Sequence, residues 1–211
     1  MPTTSERTQP KSAPIRRADP IDGRTARAVR TRDAIVDACI ELVEEGDLRP
    51  TAPRIAERAG VSVRSIFQHF DDLETLFGAV GERVVARLAL LVSPIAPEAP
   101  LDERIDAFAR QAALLNEAVT PIRRAALVHA ITSVVINQQF AAGHRFLQEQ
   151  VARVFAAELE AAGPRRAAVE DTLVLGASWP AWDALRRLEG RSVEEAAASV
   201  HGVLTLALRP T

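Results

Sequence analysis

The stretch from Thr51 to Phe77, TAPRIAERAGVSVRSIFQHFDDLETLF, decides the fold predicted for this chain. Thr51 can cap a first short helix, and Gly60 supplies a residue that readily becomes left-handed at the end of that helix. Ser62 can then cap a second short helix over Val63 to His69. Two helices joined by a tight, glycine-containing turn predict a helix-turn-helix, whose second helix has the size to enter a DNA major groove.

The spacing of apolar residues predicts which side chains of these helices face inward. In the second helix Ile66 and Phe70 recur at helical spacing, whereas Arg64, Ser65 and Gln68 point away from them. A longer amphipathic helix is predicted over residues 24–46, just ahead of the motif. It is expected to complete a three-helix core, to which the motif contributes Ile55, Ile66, Phe67 and Phe70.

Charge is unevenly distributed along a chain whose net charge is −2. Most charged residues from Arg7 to Arg32 are basic, and an acidic run from Asp33 to Asp47 follows them. The first long helix therefore starts basic and ends acidic, the reverse of what the helix dipole favours, which indicates a phosphate near its start. Residues 1–23 are expected to form a disordered basic arm. In that arm Arg16 and Arg17 either contact DNA or belong to an idle tail.

Several function classes find no support in the sequence. The one cysteine excludes a disulfide framework and cysteine-rich metal sites, and His129, His144 and His201 lack metal-type spacing. There is no glycine-rich phosphate loop and no nucleophile–histidine–acid arrangement, so we expect no enzymatic activity, cofactor or metal. No apolar run has the length of a membrane span and no apolar signal segment is present, so a cytoplasmic location is expected.

Proline-rich residues 94–100, PIAPEAP, mark the predicted boundary between two all-α domains. Residues 24–93 are assigned to the helix-turn-helix domain with a connecting helix, which Asp71 and Asp72 can start. Residues 101–211 are assigned to a helical ligand-binding and dimerisation domain. Its helices are expected at about 102–119, from Pro121 to a break near 137–143, on to Ala162, at 165–189 and at 192–208. The last two are expected to form a four-helix seam between two subunits, or else to pack only within one chain.

The motif resembles the tetracycline-repressor (TetR) family of bacterial transcription regulators over roughly residues 24–80. The likeness rests on Thr51-x3-Ile55-Ala56-x2-Ala59-Gly60-Val61-Ser62, on the helix end His69-Phe70, and on Asp72-x-Glu74-x-Leu76-Phe77. The resemblance implies a homodimeric repressor that binds a near-palindromic double-stranded DNA operator and responds to a small, largely apolar effector. It also implies these DNA-binding residues: Arg30, Thr31, Thr51, Ser62, Val63, Arg64, Ser65, Gln68 and His69.

Three residues depart from the family pattern. Phe67 stands where the family often has a tyrosine whose hydroxyl contacts phosphate, and Leu73 stands where it often has a lysine. Both residues therefore lack a phosphate contact that many family members make. Arg64 stands where glycine is common, and an outward arginine binds either a guanine edge or a phosphate. Two alternatives stay open. One is a regulator without an effector. The other, which Phe67 and Leu73 keep open, is an all-α interaction protein whose N-terminal domain does not bind DNA.

The effector pocket is expected among the helices that start near Asp102, Pro121 and Ser133. The candidate lining residues are Phe108, His129, Asn137 and Trp179. For His129 the alternative is a core histidine with its hydrogen bonds satisfied, and for Trp179 it is ordinary core or dimer packing.

Overall fold

All regular structure between Pro20 and Arg209 is helical. A computed structural model describes residues 20–209, with side chains from residue 23 onward; Arg16 and Arg17 lie outside the described residues. The all-α fold predicted from the sequence is confirmed. The helices are α1 (Pro20–Glu44), α2 (Ala52–Ala59), α3 (Val63–His69), α4 (Leu73–Ala89), α5 (Leu101–Ala130), α6 (Val134–Val154), α7 (Ala156–Ala161), α8 (Arg166–Ala177), α9 (Trp179–Asp183) and α10 (Val193–Leu208).

The first four helices enclose an apolar core that includes Ile35, Ile55, Ile66, Phe70 and Leu76, all almost fully buried. Two expectations are wrong here. Residues 20–23, assigned to the disordered arm, form the start of α1. Phe67, assigned to the core, is 50% exposed.

Cys39 lies in the same core, where burial, with a smaller contribution from Asp47, raises the pKa of its thiol to about 12. It is therefore a small buried apolar residue, as free cysteines commonly are.

The acidic run in α1 and the following loop has counter-charges inside the molecule. Arg58 of α2 pairs with Glu45 at 2.6 Å, and Arg83 of α4 pairs with Asp37 at 2.9 Å and also with Asp33. Each such surface pair contributes little alone, about 0–1 kcal/mol. Together they explain the acidic end of α1, because that end faces arginines of α2 and α4.

The second core lies among α5, α6, α7, α8 and α10. Phe108 and Phe155 meet there with ring centroids 5.3 Å apart, and Trp182 is fully buried. α10 packs against both α5 and α8. The expected last helix from Ser192 is confirmed, and Ser192 and Glu195 form a reciprocal capping box at its start.

Proline positions misled the prediction in the second half of the chain. Pro121 lies inside the continuous helix α5, although a proline in a helix interior costs about 3 kcal/mol. Packing on both sides offsets that cost, since the residues before it, such as Ala112, join the second core, while Ile122 packs on the first. Conversely, the helix expected over residues 165–189 breaks at Ser178, two residues before Pro180.

Helix α6 also differs from its prediction. The break expected at residues 137–143 lies instead at residues 131–133, and the helix expected to reach Ala162 is interrupted at Phe155. Ser133 explains the earlier start, because its hydroxyl accepts a hydrogen bond from the Ile136 N–H at 3.1 Å and caps α6.

Two hydrogen bonds connect α6 to α4 across the two cores. The Ser133 hydroxyl donates to a Glu74 carboxylate oxygen at 2.9 Å, and the Gln139 amide donates to the Gly78 carbonyl at 2.9 Å. A Cβ on Gly78 would lie 3.1 Å from Val135 Cγ1, and one on Gly81 would overlap the end of the Gln139 side chain, so both glycines stand close to α6. The residues that carry the helix-turn-helix are therefore attached directly to the second half of the chain.

Candidate nucleic-acid interface

The turn between α2 and α3 has the geometry that its sequence predicts. Gly60 has φ 65° and ψ 34°, a left-handed conformation, and the Val61 N–H donates to the Ala56 carbonyl at 2.9 Å. The Ser62 hydroxyl accepts from the Ser65 N–H at 3.1 Å and caps α3. Thr51 occupies the N-cap position of α2, but its side chain makes no capping hydrogen bond, contrary to expectation.

The outer face of α3 is formed by the residues that lie away from its two buried anchors, Ile66 and Phe70. Ser65 and His69 are half-buried at the edges of this face. The exposed side chains are Ser62, Val63, Arg64, Phe67 and Gln68. All six predicted residues of this stretch and of its cap, together with Phe67, thus lie outside the core on one short helix. Such a helix has the dimensions of a major-groove reading element.

The arginines near this face differ in whether they have an ion-pair partner within the described part of the chain. Arg54 and Arg58 of α2 form ion pairs with Asp47, Glu41 and Glu45. Arg64 has no ion-pair or hydrogen-bond partner among the residues that the structure describes, so its guanidinium is available to an external acceptor. Ion pairs therefore neutralise part of the positive charge around the motif. They do not neutralise the charge of Arg64 on α3.

The predicted residues of α1 and of the loop before α2 are accessible. Arg30 is exposed, and Thr31 is half-buried with its hydroxyl donating to the Arg27 carbonyl at 3.0 Å. Thr51 is exposed at the start of α2.

The sequence reasoning missed two residues near α3. The sequence predicts Phe67 in the core because it is adjacent to Ile66 and three residues from Phe70. This spacing does not distinguish a buried residue from one at the edge of the helix. The Phe67 ring instead stands half-exposed on the outer face. The exposed Arg32 lies with its guanidinium carbon 5.0 Å from the centroid of the Phe70 ring, so a cation packs beside the buried anchor that follows α3.

The four predicted pocket residues do not share one cavity. Phe108 belongs to the second core, Asn137 is exposed and donates to backbone carbonyls at the start of α6, and Trp179 is buried with its indole N–H donating to the Thr120 hydroxyl at 3.0 Å. His129 alone of the four lines a cavity of about 50 Å³ between the two cores. This volume holds one or two water molecules, so a larger effector has to widen it.

His129 is not the fully satisfied core histidine that the sequence favoured. Its ring stacks on Phe77 with centroids 4.7 Å apart, and its Nε2 is buried with no hydrogen-bond partner. Burial, and to a smaller extent the charge of Arg49, lowers the pKa of His129. The surroundings of His129, at the junction between the two halves of the chain, therefore favour the neutral form of the imidazole.

Neither a membrane span nor a metal cluster emerges from the described residues. From Pro20 to Arg209, no helix combines the length and apolarity needed to cross a membrane. In the same part of the molecule, no three His, Cys, Asp or Glu side chains are grouped as metal ligands would be.

Comparison with known proteins agrees with a helix-turn-helix in this part of the chain. Residues 35–80 match the model of the bacterial regulatory proteins, tetR family. A transcriptional regulator from Rhodococcus sp. Rha1 has the same fold, with 17% identity, a TM-score of 0.64, and coverage of 86% of this chain and 95% of its own. A protein of Mesorhizobium loti MAFF303099, whose structure is named as a TetR-family transcriptional regulator, has 20% identity and a TM-score of 0.58, covering 86% and 96%. No curated protein matches the sequence significantly.

A helix-turn-helix with an open outer face, joined to a helical second half, defines a DNA-binding transcriptional regulator. Residues 35–80 therefore carry the helix-turn-helix of the bacterial regulatory proteins of the tetR family, and the chain shares its overall fold with the two regulators above.

Proposed function

We propose that the chain is a cytoplasmic homodimeric repressor that presents α3 of each subunit to successive major grooves of a near-palindromic operator. The outer face of α3, with the unpaired Arg64 at its centre, is the observation that carries this proposal. Val63, Arg64 and Gln68 would read bases, while Thr51, Ser62, Ser65 and His69 would hold the backbone. Arg30 and Thr31 would add phosphate contacts, as would Arg16 and Arg17 of the N-terminal arm.

The dimer is proposed to form through α8 and α10. These helices pack side by side, and each carries a large exposed apolar side chain, Leu175 at 64% and Leu206 at 79% exposure. Exposed leucines on neighbouring helices favour burial against a second copy, because about 25 cal/mol is gained per Å² of apolar surface removed from water. Two subunits joined in this way form a four-helix seam and present two α3 helices related by a twofold axis.

Effector control is proposed to act through the contacts between α6 and α4. The bonds from Ser133 to Glu74 and from Gln139 to Gly78 attach the start of the helix that follows α3 to the second half of the chain. A ligand that separates α5 from α6 would move α4, and with it the spacing of the two α3 helices. It weakens DNA binding only if it has a higher affinity for the separated state.

Selection of bound duplexes from a random pool, to which the DNA flanking the gene is added, tests the proposal. We expect enrichment of one near-palindromic sequence and a steep decrease of affinity with salt. Arg64→Ala should weaken binding, while Arg110→Ala, which changes an exposed arginine on α5, should not. Retention of duplexes without sequence preference would contradict the proposal and favour the interaction-protein alternative.

A further inference from the structure

Arg123 of α5 is a half-buried cation without an anion. Its guanidinium carbon lies 4.6 Å from the centroid of the Phe140 ring and 5.1 Å from that of the Trp179 ring. Among the residues that the structure describes, no hydrogen-bond acceptor or carboxylate contacts it. Burial lowers the pKa of this guanidinium, so its surroundings oppose the charge that they do not neutralise.

Three other partly buried arginines in the second half of the chain are paired. Arg124, the next residue, bonds to Asp183 at 2.8 Å, and Arg186 bonds to Glu117 at 3.0 Å. Arg104 bonds to Glu158 at 2.7 Å. Partly buried charges in proteins are normally compensated in this manner, because an uncompensated one keeps its full desolvation cost. Arg123 is an exception that the folded chain by itself does not explain.

Two features lie beside Arg123: a hydrogen-bonded tryptophan and an exposed glycine. The Trp179 indole is fixed by its hydrogen bond to Thr120, whose hydroxyl donates in turn to the Asn116 carbonyl at 2.6 Å. Nη1 of Arg123 lies 4.0 Å from the place that a Cβ of the exposed Gly143 would occupy. No nitrogen of the Arg123 guanidinium is both fully buried and without a hydrogen-bond partner. Gly143 is exposed and carries no side chain, so a ligand would reach the N–H groups of Arg123 from this side.

We propose that Arg123 binds the carboxylate of a small organic acid that enters beside Gly143, with the rings of Phe140 and Trp179 flanking the cation. Two parallel N–H···O bonds from a planar guanidinium match a carboxylate, and the rings leave the edge of the guanidinium for that purpose.

The body of the acid would lie along α6, because Ile136, Gln139, Phe140 and Gly143 share one stripe of that helix. Ile136 and Gln139 line the cavity next to His129. The inference rests on the proposed effector-controlled repressor and names the class of effector, an organic acid in place of the largely apolar molecule expected from the sequence.

A thermal-shift screen of the full-length chain, without DNA, tests it first. The probes are acids paired with their neutral amides: benzoate with benzamide, phenylacetate with phenylacetamide, and octanoate with octanamide. We expect at least one acid to raise the melting temperature in a saturable manner while its amide does not. If no acid stabilises the chain more than its amide, the proposal is overturned.

Variants then locate the site of the best acid by fluorescence of the chain's two tryptophans. Arg123→Met keeps an unbranched side chain without charge and should weaken binding by at least about tenfold, the effect of losing one hydrogen bond to a charged group. Gly143→Leu keeps the charge and blocks the approach, so it should weaken binding as well. Arg145→Met, which removes an exposed arginine nearby on α6, should leave the affinity unchanged.

Equal affinity of the wild type, Arg123→Met and Gly143→Leu for the acid would also overturn the inference. The inclusion of Gly143→Leu keeps the test decisive if Arg123→Met does not fold. Because these measurements need no operator, their failure leaves the proposed DNA binding intact, and failure to find an operator leaves the acid site intact.

Discussion

The Ser133 hydroxyl donates a hydrogen bond to Glu74 Oε1 over 2.9 Å and thereby connects the cap of α6 to the first turn of α4. The same hydroxyl accepts from the Ile136 N–H and caps α6. One oxygen atom thus stabilises a helix start and a contact between the two halves of the chain. This double role separates Ser133 from a residue that only caps.

Ser133→Ala is therefore expected to destabilise the chain by about 1.5–3 kcal/mol, the sum of one cap and one interhelical hydrogen bond. Ser192→Ala is the matched control, because it removes a cap from α10 without an interhelical bond and should cost about 1 kcal/mol. Urea unfolding gives both values. Equal losses for the two variants would show that the bond to Glu74 contributes nothing.

Arg64→Ala should relax the base preference at one operator position by about 1–3 kcal/mol if Arg64 binds a guanine. The expectation follows from its exposed position on α3 and from its lack of an internal partner. Competition binding with operators that vary at each position measures the change. A uniform loss over all sequences, together with a shallower salt dependence, would assign Arg64 to a phosphate instead.

Phe67→Tyr should leave stability within about 0.5 kcal/mol of the wild type, because the ring is half-exposed and the added hydroxyl reaches solvent. If the hydroxyl meets a phosphate, operator affinity should improve by about 0.5–1.5 kcal/mol. Phe70→Tyr is the control on the same segment. Its ring is 2% exposed, so the buried hydroxyl should cost about 1–3 kcal/mol of stability. Similar losses of stability in both variants would show that the Phe67 ring is buried in the core.

Leu206→Glu should shift the proposed dimer toward monomer, because it places a charge in a seam formed by α8 and α10. Leu90→Glu is a matched control, since Leu90 is 86% exposed at the end of α4 and belongs to neither helix. Sedimentation velocity over a concentration series measures the association. A dimer that tolerates Leu206→Glu as well as Leu90→Glu would place the seam elsewhere.

His129 should make the stability of the chain fall as the pH drops below about 6.5, the pKa of an unperturbed histidine. The folded chain lowers this pKa, mainly through burial, so the unfolded chain binds the proton at the higher pH. The stabilising contribution is therefore complete above about pH 6.5 and is lost as the pH decreases toward the folded-state value.

Urea unfolding from about pH 8 to about pH 5 checks this sign. His129→Leu should remove part of the decrease, whereas His144→Leu, on the exposed surface of α6, should retain it. An unchanged pH dependence in His129→Leu would mean that other groups cause it.

Local sequence determined the helix-turn-helix because each feature of this motif depends on interactions within a few residues. A glycine allows the left-handed turn at Gly60, Ser62 caps α3, and the i, i+4 spacing of Ile66 and Phe70 orients the helix. These effects act over one or two turns of chain and do not depend on distant partners. The start of α10 was predictable for the same reason, through its capping box.

Tertiary structure decided what local rules contradict or leave open. Pro121 stays inside α5 because packing on both sides outweighs the missing hydrogen bond, and Phe67 faces outward although its hydrophobicity favours the core. The ion pairs of Glu45 and Asp37 and the bond from Ser133 to Glu74 join residues far apart in sequence. Among the described residues, Arg123 meets the rings of Phe140 and Trp179 but no carboxylate. By itself, then, the sequence determined the reading element and the all-α class, because both depend on short-range periodicity and capping. Only the folded chain decided which charges are neutralised and how the two halves are connected, because those depend on distances between segments that no local pattern encodes.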